Sequence, residues 1–340
     1  MKLKILALGL CLLAPLSADL LPAEEADALT ANKFLPPKEK MSRVQLMLAK
    51  SVPLQKIDTD AGLDKITGLP TGAGNAAAHY AKLEQLFATD RENPQSLRMK
   101  PRCQGVSEIF KAVMIRDCRL SPEFYPALTS GEVKQPDMLV FLAYAGALID
   151  LAKELENKQD FKGAELVYRS GLIFGWHLTQ HPESLLVFSI GIRIKGLVAK
   201  AYSQFLFRKT DLTRQKAVDA YYEMLGHAQS KLERKLSYFL GNTLAFNSLY
   251  SAIRIATEDQ DVFWRREAVI RLGVYRHGAP GSSGEIIFTD PERQKSADAV
   301  LTHIAESDSD DACRELAAWV IKHLTPEKFA HLMKAGAEKK

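Results

Sequence analysis

Past its N-terminal segment the chain has no apolar run long enough to cross a bilayer. The best candidate, Met138 to Ile149, lasts about a dozen residues before Asp150 and Lys153 interrupt it, where a spanning helix needs about 20. No integral membrane segment is expected. Cysteine is also scarce, four in 340 residues, too few for a fold built on disulfides. Cys11 lies in the N-terminal apolar stretch behind Leu10, which is not the small residue that lipid attachment requires. Val106 to Ile115 has helical spacing, and a helix rising about 1.5 Å per residue would hold Cys103 and Cys118 roughly 20 Å apart. A disulfide needs Cα atoms within about 7 Å. Buried free thiols are the plainer expectation for Cys103, Cys118 and Cys313; a bend between Pro101 and Gly105 is what a Cys103–Cys118 bridge would require.

Strong charge of either sign is missing too. The formal net charge is +4, Lys2 and Lys4 supply two of it, and no basic run is interleaved with aromatic residues, so no nucleic-acid partner is expected. Catalytic signatures are equally thin. There is no Gly-x-Ser-x-Gly elbow. The glycine-rich stretch Gly68 to Asn75 lacks the Lys-Ser/Thr that reaches phosphate and magnesium, and glycine freedom with Asn75 as a helix cap explains it. His177-Leu-Thr-Gln-His181 spaces two imidazoles by one helical turn, a zinc-compatible spacing, but Leu178 stands where a metalloprotease carries Glu, and no third ligand can be nominated. No metal or cofactor is expected.

The N-terminus has a basic start, Met1 to Lys4, an apolar core from Ile5 to Leu16 and a small-residue exit at Leu16-Ser17-Ala18. That is the form of a secretory signal covering residues 1–18, which places the chain in the periplasm or outside the cell. Residues 19–75, broken by Pro36-Pro37 and rich in glycine after Gly62, read as an extended arm and linker lying over a helical body. Helical spacing then recurs: Ala76 to Thr89, Gln104 to Arg116, a pair of helices within Asp137 to Leu178, a long helix from a Ser184 cap to Arg208, another from Thr213, and Thr243 to Thr257. The one strand-like stretch is Ile286-Ile287-Phe288. The fold class is all-α, an irregular α-solenoid of stacked antiparallel helical hairpins.

The pair within Asp137 to Leu178 resembles a tetratricopeptide repeat. Leu148, Leu151, Ala152, Leu155, Ala164, Tyr168 and Gly171 fall on that family's pattern, and Asp160-Phe161 fits its turn. Small side chains at Ala152, Ala164 and Gly171 would let two helix backbones approach. The step from Ala164 to Ala217 exceeds the family period of roughly 34 residues, so the neighbouring hairpins are degenerate. Further on, Asp261 to Gly273 and Asp310 to Ile321 resemble HEAT second helices, with Arg265 matching Arg314 and Ala268 matching Ala317; the resemblance makes Asp261, Arg265, Asp310 and Arg314 structural. Residues 76–257 are thus a tetratricopeptide-like domain and 258–336 a HEAT-like region. The order of segments is similar to exported bacterial helical proteins that have no assigned activity.

These resemblances imply a scaffold whose concave face meets a protein or peptide partner, without catalysis. Gly146, Ile149, Lys153, Glu156 and Asn157 would line that face. Ile149 stands where family members that clamp a C-terminal carboxylate carry Lys, so that ligand is not implied. The alternative is a metal- or carboxylate-dependent hydrolase of the cell envelope, using His177 with His181 or the carboxylates Glu154, Glu156 and Glu165. Trp264 and Trp319 sit near core positions; Trp176 leaves sugar stacking open.

Overall fold

A computed structural model of the chain describes residues 32–36, 40–41, 43–52, 54–120, 138–182, 185–240, 249–276, 279–280, 286–287 and 291–323. The proposed signal, Ser184, Phe288 and the stretch after Pro326 lie outside them. The chain is all-α in character. Apolar residues recurring at three- and four-residue steps give each helix one stripe to bury, and consecutive helices fold back to bury it against one another.

Helices α1 (Arg43–Ser51) and α2 (Leu63–Thr67) belong to the arm; β1 (Gly72–Asn75) leads into α3 (Ala77–Asp90) and α4 (Gln104–Ala112). Helicity was expected from Gln104 as far as Arg116, but the helix ends at Ala112 and Ile115–Asp117 forms β2, parallel to β1. The backbone at Gly72 explains this departure. Its amide donates to Met114 O at 3.1 Å, and a Cβ there would lie 2.3 Å from that oxygen, so a glycine stretch read as flexible linker is a pairing edge. Asn75 is not the cap expected of it: the N-cap position of α3 is Ala76, and the Asn75 side chain, one residue earlier, accepts from Ala77 N at 3.1 Å.

The central layers are α5 (Met138–Asn157), α6 (Phe161–Gln180), α7 (Leu185–Arg208) and α8 (Leu212–Leu240). Each packs on the next, and α5 also reaches α7. Asp160 starts α6 by accepting from Gly163 N at 2.9 Å. Ala152, Ala164 and Gly171 are all buried, as the small-residue spacing requires, and Tyr168 stacks on Tyr202 with ring centroids 5.5 Å apart.

A backbone-to-backbone approach of two helices occurs elsewhere, at Gly175 of α6 and Gly191 of α7. A Cβ on Gly175 would meet Gly191 O at 3.0 Å, and one on Gly191 would meet Gly175 O at 2.9 Å. Neither backbone can yield without separating the helices. Gly191→Val is therefore expected to cost about 2–3 kcal/mol in urea unfolding, the range for overpacking a core. Gly146, whose added Cβ meets nothing within 4 Å, supplies the control. Gly146→Ala should leave stability unchanged or raise it by up to about 1 kcal/mol through helix propensity.

Beyond them α9 (Leu249–Glu258), α10 (Val262–Tyr275), α11 (Pro291–Ser307) and α12 (Asp311–His323) form the last layers, with a short antiparallel pair, β3 (Ala279–Pro280) and β4 (Ile286–Ile287), between α10 and α11. Two turns here are built alike. Asp259 Oδ1 accepts from Asp261 N at 2.9 Å and Asp308 Oδ1 from Asp310 N at 2.8 Å; Arg265 donates to Asp259 O, and Arg314 to Asp308 O. The turns are then laced together, because Arg265 also pairs with Asp308 and Arg266 with Asp310, both at 3.1 Å. The structural part foreseen for Arg265 and Asp310 is thus seen, with Arg266 as a partner that the repeat spacing did not single out.

Candidate functional site

The residues expected on a concave face separate once they are placed. All sit on α5. Lys153 and Asn157 are exposed, and Ile149 and Gly146 are half-buried, Ile149 resting against the core. Glu156 turns inward: its carboxylate accepts from Tyr168 Oη at 2.7 Å and from Arg208 Nη2 at 2.6 Å. It thereby ties three helices together, α5, α6 and α7. The sequence could not distinguish it from Lys153, since helical spacing puts both on neighbouring faces.

The residues of the hydrolase alternative are likewise engaged. His177 is buried; Nε2 faces Ile115 O at 2.9 Å and Nδ1 faces Tyr80 Oη at 2.6 Å. A carbonyl only accepts, so Nε2 carries the hydrogen and Nδ1 accepts from the tyrosine hydroxyl. Both ring nitrogens are used, and burial holds the imidazole neutral, its pKa pushed down to about 4. His181 is exposed and 3.2 Å from Asp117. The two imidazoles therefore do not form a metal pair, and among the described residues no cluster of three metal-binding side chains occurs. Glu154 pairs with Arg102 and Lys158, and Glu165 with Arg214 at 2.5 Å.

Trp176 and Trp264 are buried and Trp319 stacks on His323, so all three pack within the protein. Cys103, Cys118 and Cys313 are free thiols. Cys103 lines a cleft of about 560 Å³ beside Asp90, but burial raises its thiol to about 11, and Asp90 is held by Gly105 N at 2.7 Å and Tyr144 Oη at 2.8 Å. Neither group is poised as a nucleophile or base.

A different row of side chains converges on the arm. Residues 49–52 and 54–67 lie against α6, α7, α8 and α9, and side chains from those helices donate to the arm's backbone. Arg254 of α9 donates to Ala49 O at 2.7 Å, and Lys235 of α8 lies 3.4 Å from Gln55 O. Lys195 of α7 donates to Thr59 O at 2.8 Å, joined on the same oxygen by Tyr221 of α8 at 3.0 Å. Arg169 Nε of α6 donates to Thr67 O at 2.9 Å. The body adds one backbone donor as well: Gln260 N donates to Leu54 O.

Two of these cations are completely buried. Lys195 Nζ is satisfied by Thr59 O, Asp60 Oδ1 at 2.8 Å and Thr179 Oγ1 at 2.9 Å. Lys235 Nζ is 2.6 Å from Asp259 Oδ2, both side chains at 0% exposure, and lies 4.8 Å from the Trp264 ring. Burial lowers the pKa of both lysines, and their carboxylate partners act against it. A signal for this row does stand in the sequence. Lys195 falls on the stripe of Ile192, Val198 and Ala199, Arg254 interrupts Leu249–Ala256, and Lys235 adjoins the Leu225, Ala228, Leu232 stripe. A lone cation on an apolar stripe needs a partner from elsewhere.

Fold and site together define an all-α protein of stacked hairpins with a groove that holds a segment of its own chain, two short helices and the non-helical stretch between them. Compared with protein-family models, with curated proteins and with solved structures, the chain has no match in any of the three. Among the described residues no helix is long and apolar enough to cross a membrane.

Proposed function

We propose that this chain is an exported helical-repeat scaffold that binds a protein or peptide partner and performs no catalysis. The observation that carries the reading is the row Arg169, Lys195, Tyr221, Lys235 and Arg254, five donors on four successive helices aimed at the carbonyls of one segment. Such an array holds polypeptide by its backbone, which is a binding arrangement and not a chemical one. The basic, apolar and small-residue N-terminus supports export, and the likeness to tetratricopeptide and HEAT units supports partner binding. The open flank of α5, with Lys153 and Asn157 exposed, is the surface offered outward.

A photoreactive residue at Lys153 or Asn157 of the full-length chain, expressed with its N-terminal segment, tests this. A discrete adduct is expected at both positions and not at the control position Glu315 on α12. Lys153→Glu should weaken capture from position 157 roughly tenfold, the worth of one contact of about 1.4 kcal/mol. Adducts no different from those at Glu315 would remove the flank assignment.

A further inference from the structure

The groove is occupied in cis, and the manner of occupation describes what it recognises. On the body side the side-chain donors come from α6 to α9, joined by the backbone amide of Gln260. On the arm side they meet the carbonyls of Leu54, Gln55 and Thr59 between the two short helices and of Ala49 and Thr67 within them, which any residue type would supply. From Ile57 to Asp60 burial alternates, with Ile57 and Thr59 buried and Asp58 and Asp60 exposed, before the Asp58 carboxylate, accepting from Asp60 N and Ala61 N, turns the backbone toward α2. Main-chain hydrogen bonds with pockets for alternate side chains are the means by which extended peptides are read. One acidic group is read as well, Asp60 by Lys195. Lys195 also makes an empty groove unfavourable, because without the arm it keeps only Thr179 Oγ1. Something with a carbonyl and a carboxylate must fill the place.

Resting on the scaffold reading, we infer that the groove of α6 to α9 is a polypeptide-binding site with the arm as its cis ligand. Its trans ligand is a segment carrying the apolar–x–hydroxyl–acid order of Ile57-Asp58-Thr59-Asp60, and it exchanges with the arm. A tethered arm competes at an effective concentration on the order of millimolar, so the wild-type chain presents a largely blocked site.

The test uses a fluorescent synthetic peptide covering residues 49–67, titrated into the full-length chain and into full-length Ile57→Ala/Asp60→Asn, whose cis arm is weakened. The variant should bind the peptide at least about tenfold more tightly than wild type, a difference of about 1.4 kcal/mol. A peptide with Asn in place of Asp60 should lose a similar factor, and full-length Lys195→Met should no longer distinguish the two peptides. As a measurement independent of the double variant's folding, millimolar unlabelled peptide should speed amide hydrogen exchange at residues 52–60 of the wild-type chain. Equal peptide affinity for wild type and a variant of unchanged helicity, or unaltered exchange in the wild type, overturns the inference. If adducts form at Lys153 while the peptide fails to exchange, the inference falls and the scaffold reading stands; peptide exchange without adducts removes the α5 flank alone.

Discussion

Asp259→Asn is expected to lower stability by roughly 3 kcal/mol at neutral pH, and adding Lys235→Met to recover most of that loss. The substitution keeps the oxygen that accepts from Asp261 N, so the turn before α10 survives. What it removes is the charge opposite Lys235 in a pair from which water is excluded. Burial pushes the Asp259 carboxyl up to about 6 and the Lys235 ammonium down, and their mutual attraction opposes both shifts. With only Asn opposite, the ammonium retains Gln55 O and the Trp264 face, or gives up its proton. Either outcome is costly, whereas Met in place of Lys235 removes the need altogether. Urea midpoints of the two single variants and the double variant form the cycle. A double variant no more stable than Asp259→Asn would show that the lysine's stem and arm contact matter more than its charge.

A destabilisation on acidification is expected between pH 6.5 and 4 from His177. Its folded pKa, about 4, lies below the ordinary 6.5. The unfolded chain therefore takes up this proton first as the pH falls. The stability tied to neutral His177 is complete above pH 6.5, is lost progressively down to pH 4, and changes no further below that. The loss amounts to about 3 kcal/mol, at about 1.4 kcal/mol per pKa unit. Gln can accept from Tyr80 and donate to Ile115 O without titrating, so His177→Gln should be less stable at pH 7 and should lose the fall tied to His177. What remains is the opposite trend of Asp259 and Glu267, whose carboxyls burial raises to about 6 and about 7 and which therefore add stability as the pH drops. A pH dependence the same as that of wild type would place the proton uptake elsewhere. Glu108 acts in a lower window. Its carboxylate, held by His79, Lys82 and Lys111, is lowered to about 2, so what it contributes is present above its ordinary 4.5 and lost as the pH falls toward 2.

The helices were legible because burial on one stripe is written locally. Leu212–Leu240 and Met138–Asn157 carry their spacing in plain view, and the Asp160 turn carries its cap. Less visible were features set by residues far apart in the chain. The β1–β2 pairing depends on Gly72 lying against Met114 O, and the backbone-to-backbone helix crossing depends on Gly175 finding Gly191; neither glycine reveals its partner by its neighbours. The site was the least legible part. Lys153 and Glu156 look alike in sequence, and only Tyr168 and Arg208 separate them. The arm read as linker because its hold on the body lies mostly in its carbonyls, which every residue has.

The first described residues of the arm reach still further along the chain. Asn32 donates to Thr257 and Glu258, 225 and 226 positions away, and the Phe34 ring lies 4.9 Å from that of His303. A segment made early must therefore wait for most of the polypeptide before it has anywhere to dock. Closing so long a loop is an entropic burden that falls on the last step of folding, and topologies dominated by distant contacts fold slowly. The helical hairpins can assemble as they are made, but fastening the arm across them is a late event, and until then Lys195 and Arg254 stand open to whatever chain is nearby.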